Sequence, residues 1–204
     1  MIDWPEPLPR QDESDDAKFY AYDRFVTHID DGAIAAVTQI YRERIPPQAR
    51  VLDLMSSWVS HLPREISYAS VVGVGMNAAE LAANPRLHRW IVQDLNKSTC
   101  LEFEDAYFDA ALICVSIDYL VRPTAVLREL ARVVKTSGSL IITFSNRCFP
   151  TKAVIPWLNL SDAEHMEFVQ SRVRAAMEWV DVVGLDRSPP EGDPLFAVVA
   201  SRAA

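Results

Sequence analysis

Five short apolar runs, each followed by a polar or glycine-containing turn, constrain this chain most. Arg50–Leu54, Ala69–Val74, Arg89–Val92, Phe108–Cys114 and Ser139–Phe144 read as strands, with two more at Trp179–Leu185 and Leu195–Ala200. Helical patterns lie between them at Leu62–Ile66, Ala78–Asn84, Pro123–Val134 and Asp162–Ala176. Short strands alternating with helices predict a mostly parallel sheet covered on both faces. The last two strands are joined by the Pro-rich segment Asp186–Pro194, too short for a helical crossover, which predicts a terminal antiparallel hairpin at the sheet edge. The expected fold is therefore α/β, a three-layer sandwich on a mostly parallel seven-stranded sheet.

Two segments precede the first strand. Met1–Asp16 has four acidic residues in its last five and three early prolines, and is expected to be a flexible, extended arm. Residues 17–45 carry apolar positions three or four apart in FYAYDRFVTHID and AIAAVTQIYRERI, broken at Asp30–Asp31–Gly32, which predicts two helices with Asp31 a candidate cap. Residues 17–204 are expected to form a single domain.

The net charge of -8, with no block of Lys or Arg, argues against a nucleic-acid partner and fits a small uncharged or cationic substrate. The three cysteines are odd in number and lack C-x-x-C spacing, so reduced thiols in a cytoplasmic protein are expected, and no metal site. The acidic start is unlike a secretory signal, and no apolar run is long enough to span a bilayer. Oligomeric state is left open.

In an open parallel sheet, ligands sit beyond the carboxyl ends of the strands, so the turns there carry the candidate chemistry. Asp53 ends the first strand, and Met55, Ser56, Ser57 and Trp58 form the turn after it. That turn is either a ligand cradle or an ordinary connection with Ser57 or Ser60 as a helix cap. Gly73 and Gly75 close the second strand and permit close backbone approach, followed by Met76 to lie against a ring and Asn77 as cap or ligand amide. Asp94 and Leu95 pair a carboxylate with an apolar side chain after the third strand. Val115, Ser116, Asp118 and Tyr119 rim the fourth, with Asp118 and Tyr119 placed to position a substrate. After the fifth come Asn146, Arg147 and Phe149, with Arg147 either pairing a ligand carboxylate or balancing the acidic surface.

The stretch Val51–Phe144 resembles the class I S-adenosylmethionine-dependent methyltransferases, in the group related to ubiquinone and menaquinone methyltransferases. VLDLMSSWV follows that family's first motif, hhDhGxGxG, through Asp53, but has Met55, Ser57 and Val59 where glycines are usual. VVGVGMN has Gly75 in place of the acidic residue that usually binds the ribose, leaving Asn77 as a substitute. LEFEDAYFDAALICVSIDYL and LRELARVVKTSGSLIITFSN resemble the family's fourth and fifth strand regions, and Asp94–Leu95 its adenine-side pair.

The resemblance implies a Rossmann-like fold with a reversed terminal hairpin, S-adenosylmethionine as cofactor, methyl transfer to a small molecule, and Asp53, Met55, Ser56, Ser57, Trp58, Gly73, Gly75, Met76, Asn77, Asp94, Leu95, Val115 and Ser116 around the cofactor. It further implies substrate contacts from Tyr20, Tyr22, Arg24, Phe25 and His28 before the sheet and from Phe149, Lys152 and Trp157 after it. His28 is the candidate base, because an unperturbed imidazole titrates near neutrality. Two other readings stay open: a catalytically silent relative acting as a binding or regulatory module, and a nicotinamide-dependent dehydrogenase, for which the GxGxxG turn is missing.

Overall fold

The computed structural model describes residues 4–204. Seven strands form one sheet: β1 (Arg50–Leu54), β2 (Ser70–Gly75), β3 (Arg89–Val92), β4 (Phe108–Cys114), β5 (Val134–Phe144), β6 (Trp179–Asp186) and β7 (Phe196–Arg202), in the order β3-β2-β1-β4-β5-β7-β6. The first five run parallel, while β7 is antiparallel to both β5 and β6, placing β6 at the edge. This is the expected Rossmann-like architecture.

Alternation along the strands separates two cores. Leu52, Leu54, Val72, Val74, Ile113, Leu140 and Ile142 point to one face, which is covered by α4 (Pro123–Val133), the short α5 (Ile155–Leu158) and α6 (Asp162–Ala175). Val51, Val71, Leu112, Ile141 and Ala197 point to the other, beneath α2 (Asp31–Arg44). The cap of α2 is Asp30 rather than Asp31: its Oδ1 accepts from the Ala33 amide at 2.9 Å. Asp30 Oδ2 also accepts from the Asp193 amide, and the Asp193 carboxylate returns the bond to the Asp30 amide, tying α2 to the β6–β7 connection.

Three expectations change. Helix in residues 17–30 reduces to α1 (Asp16–Phe19), and residues 20–30 follow an irregular path toward the carboxyl end of the sheet. Leu62–Ile66 forms no helix, only a turn at residues 64–65, and His61 before it takes a positive φ of 52°. Residues 4–16 are extended but pinned, not a free arm. Leu8 is buried in the α4–α6 core and its amide donates to the Val121 carbonyl, while Arg10 bridges Val154.

The same segment ends in a buried ionic cluster. Arg10 donates twice to Asp16, at 2.8 and 2.9 Å, and fully buried Lys152 lies 3.1 Å from Asp16 and 3.0 Å from Asp12. Asn96 reaches Asp16 from the β3–β4 connection at 3.0 Å. Arg10 and Lys152 hold Asp16 ionised against burial, so its pKa stays below the ordinary carboxylate range. Lys152 thus serves this latch rather than a substrate, and Trp157 is core, stacked on His165 and edge-on to Phe144.

Candidate functional site

Parallel strand order reverses between β1 and β4, opening a crevice at their carboxyl ends. A cavity of about 610 Å3 occupies it, a size suited to a nucleoside-type ligand with a small partner. The turn after β1 forms its floor. Met55 has φ 56°, the left-handed conformation a glycine would supply without strain, and Val115 after β4 has φ 41°. Two strained residues thus flank the crevice at the ends of its central strands.

Asp53 holds that turn in place. Its buried Oδ2 accepts from Ser56 Oγ at 2.7 Å and Ser60 Oγ at 2.6 Å. Asn84 in turn donates to Ser60 Oγ and the Ser57 carbonyl, so Ser60 is part of a clamp and caps no helix. Desolvation outweighs these bonds and raises Asp53 to about 6.

The second turn combines a steric limit with a replacement. A Cβ on Gly75 would lie 2.2 Å from the Ser56 carbonyl oxygen, whose own amide bonds the Val74 carbonyl. No side chain, acidic or otherwise, fits at position 75 in this arrangement. Asn77 caps the six-residue α3 (Ala78–Ala83) through Oδ1 and spends both amide hydrogens on Tyr20 O and Asp23 Oδ1. The carboxylate in this corner belongs instead to Glu80, which lines the cavity and accepts from Ser57 Oγ at 2.5 Å and the Arg24 amide at 2.7 Å. Glu80 escaped sequence reasoning because it follows the strand by a full helical turn.

Of the expected cofactor residues, Asp53, Met55, Ser56, Ser57, Trp58 and Gly75 line the cavity. So do Met76, Asn77, Asp94, Leu95, Val115 and Ser116. Gly73 does not: a Cβ there would meet Leu87 at 2.5 Å, so its smallness serves packing against the residues after α3. Asp94 closes a turn by accepting from the Asn96 amide at 2.9 Å, beside buried Leu95. Ser116 Oγ is buried without a hydrogen-bond partner, a polar atom left for a ligand to satisfy.

The side expected to receive substrate is aromatic. His28 and Tyr119 line the cavity, and Phe149 packs edge-on to His28 at 5.2 Å and tilted against Tyr119 at 6.0 Å. The Tyr119 hydroxyl accepts from the Phe149 amide at 2.9 Å. His28 is at the open mouth, where partial desolvation lowers its pKa and favours neutral imidazole. Asp118 lies behind the wall: it is buried, its Oδ2 has no partner, and desolvation lifts it to about 8. It does not line the cavity, contrary to the expectation of direct substrate contact.

Tyr20 and Arg24 line the cavity as expected, whereas Tyr22 is 76% exposed and Phe25 covers Trp58 from outside. His61 is an unforeseen lining residue, desolvated to about 4 and hence neutral. Arg147 borders the cavity and faces Asp193 at 3.6 Å.

Residues 55–142 match the family model described as a methyltransferase domain. No curated protein matches the sequence. Among solved structures, the chain is similar to a complex between the Haloferax volcanii Trm112 methyltransferase activator and the putative methyltransferase (14% identity, 85% of this chain and 91% of that chain, TM-score 0.66). It is also similar to the [4+2]-cyclase SpnF (16% identity, 82% and 81%, TM-score 0.62). A third similar structure is Haemonchus contortus phosphoethanolamine N-methyltransferase 2 in complex with S-adenosyl-L-methionine (13% identity, 83% of this chain and 52% of that chain, TM-score 0.61). These identities carry the fold, and the matched segment runs from the β1 turn almost to the end of β5. Among the described residues, no helix is long and apolar enough to cross a membrane.

Proposed function

We propose that this chain is an S-adenosylmethionine-dependent methyltransferase acting on a small molecule. The observation that carries the reading is the cavity at the β1–β4 crevice, whose floor keeps a glycine-like backbone at Met55 although the glycine is gone. The match to a methyltransferase domain over the same turns supports it.

The residues present suit the cofactor. Met76 and Leu95 offer apolar walls, Asp94 a carboxylate, and Ser116 an unmet hydroxyl. Glu80 supplies the carboxylate for a ribose that position 75 cannot. When bound, S-adenosylmethionine supplies a methyl group already made electrophilic by the sulfonium, so the protein's work is positioning and exclusion of water. Asp53 does its part indirectly, by fixing the turn through Ser56 and Ser60. His28, held neutral, takes a proton from an acceptor entering at the mouth, and Tyr119 and Phe149 orient that acceptor. A cytoplasmic setting with reduced thiols belongs to the same reading and suits the unpaired Cys100, Cys114 and Cys148.

A second reading, a binding module without catalysis, is favoured by one feature: both amide hydrogens of Asn77 and both oxygens of Glu80 are already engaged within the protein. Calorimetric titration with S-adenosylmethionine and S-adenosylhomocysteine, with nicotinamide dinucleotides as controls, separates the two readings. Saturable binding of both sulfur nucleosides is expected, accompanied by thermal stabilisation that grows with ligand concentration. Absence of heat and of stabilisation would favour the binding module, and nicotinamide binding a dehydrogenase.

A further inference from the structure

Arg24 stands in an unusual place for a guanidinium. Its carbon lies 4.5 Å from the ring centroid of Phe19, 5.6 Å from that of Phe149 and 5.9 Å from that of Tyr20. Phe19 packs edge-on to both Tyr20 and Phe149, and Tyr119 tilts against Phe149, so the rings form one cluster, of which Tyr20, Tyr119 and Phe149 line the cavity and Phe19 does not. Among the described residues the guanidinium is tethered to main-chain carbonyls, Phe19 O at 2.8 Å and Tyr22 O at 3.1 Å, and forms no side-chain ion pair. Lys152 holds the other approach to Phe19, at 5.7 Å, but is committed to Asp12 and Asp16. Behind the rings is the buried Asp118, whose Oδ2 has no hydrogen-bond partner among the described residues and which burial keeps protonated near neutrality.

We propose that this aromatic cluster is the acceptor subsite for an organic cation, an alkylammonium or guanidinium group, and that Arg24 occupies it as an internal stand-in. Ring faces attract a cation through their quadrupoles most strongly where water is excluded, and a cavity wall provides that setting. An internal occupant competes with the ligand and lowers its apparent affinity by the fraction of time the seat is taken. The acidic surface adds long-range attraction for the same class of ligand.

This deepens the methyl-transfer reading and rests on it only for the identity of the cation as acceptor. The test uses choline and its uncharged isostere, in which carbon replaces the nitrogen, titrated calorimetrically into the full chain with and without S-adenosylhomocysteine. Relative to wild type, R24A and R24Q are expected to bind choline roughly tenfold more tightly, and the isostere roughly tenfold less tightly than choline, with F149L erasing the preference. R24Q keeps a donor for Phe19 O, so a folding defect confined to R24A leaves the comparison intact. Equal binding of choline and isostere, or no gain on removing Arg24, overturns the proposal. Exclusion of choline by S-adenosylhomocysteine also overturns it, because the seat would then belong to the cofactor. Choline binding to a protein that ignores S-adenosylhomocysteine leaves the cation subsite standing and removes the methyl-transfer reading.

Discussion

Left-handed backbone costs a non-glycine residue about 1–2 kcal/mol, and the crevice carries it at both Met55 and Val115. The β1 turn is therefore held by its surroundings, chiefly the Asp53–Ser60–Asn84 clamp. Met55→Gly is expected to raise stability by up to about 1 kcal/mol, the relieved strain less the extra disorder of glycine in the unfolded chain. A higher denaturant midpoint at unchanged slope is the result to look for; an unchanged midpoint would mean that Met55 contributes contacts equal to its strain. Asp118 carries a second cost, of charge. Because its folded pKa of about 8 exceeds the unfolded value, the native state holds the extra proton, and stability from this group is complete below pH 4 and is lost as pH rises toward 8. Asp118→Asn is expected to flatten that fall, which has a limit of about 1.4 kcal/mol per pH unit. Melting temperatures of the two proteins should diverge as pH rises from about 4 to 8; parallel curves would place the carboxyl in a wetter setting than its burial implies.

At the scale of elements, the strap from Trp4 to Phe19 and the Arg10–Asp16–Lys152 latch are the least anticipated part of the molecule. Lys152→Met leaves the buried Asp16 with Arg10 as its remaining cation, and breaking a buried pair costs up to about 3–5 kcal/mol. Accelerated proteolysis within residues 10–20, ahead of global unfolding, is the expected sign; cleavage only on global unfolding would show that Arg10 and Asn96 suffice. The strands were legible because buried parallel strands are near-continuous apolar runs bounded by turn residues, as in VLDL and AALIC. Residues 20–30 were not. Their apolar spacing imitates a helix face, but Tyr20 and Arg24 face the cavity, Phe25 covers Trp58, and Asn77 grips the chain at Tyr20. These are long-range partners whose positions local sequence does not specify. Most of the candidate site was readable by the rule that ligands lie beyond strand carboxyl ends, which found Asp53, Asp94 and Ser116. Glu80 and His61 lie outside the turns that rule inspects, and Gly73 lies in one but serves packing.

For the whole molecule, the strap shares the main core with the sheet and is expected to unfold with it. Deleting residues 1–16 removes Leu8 from the main core and Asp16 from the cavity rim. A loss of at least about 2 kcal/mol is expected from the exposed core alone, measured by thermal unfolding. A truncated chain melting with the full one would make the segment a separable appendage.

The strand order has a consequence in time as well as space. Because β7 lies between β5 and β6, the edge strand has no seat on the sheet until Phe196–Arg202 has been synthesised. A nascent chain stalled before that point exposes the flank of β5 and leaves Trp179–Asp186 unpaired, two open edges that invite pairing with other chains. Early termination near residue 190 should therefore yield an aggregating product rather than a shortened, working one.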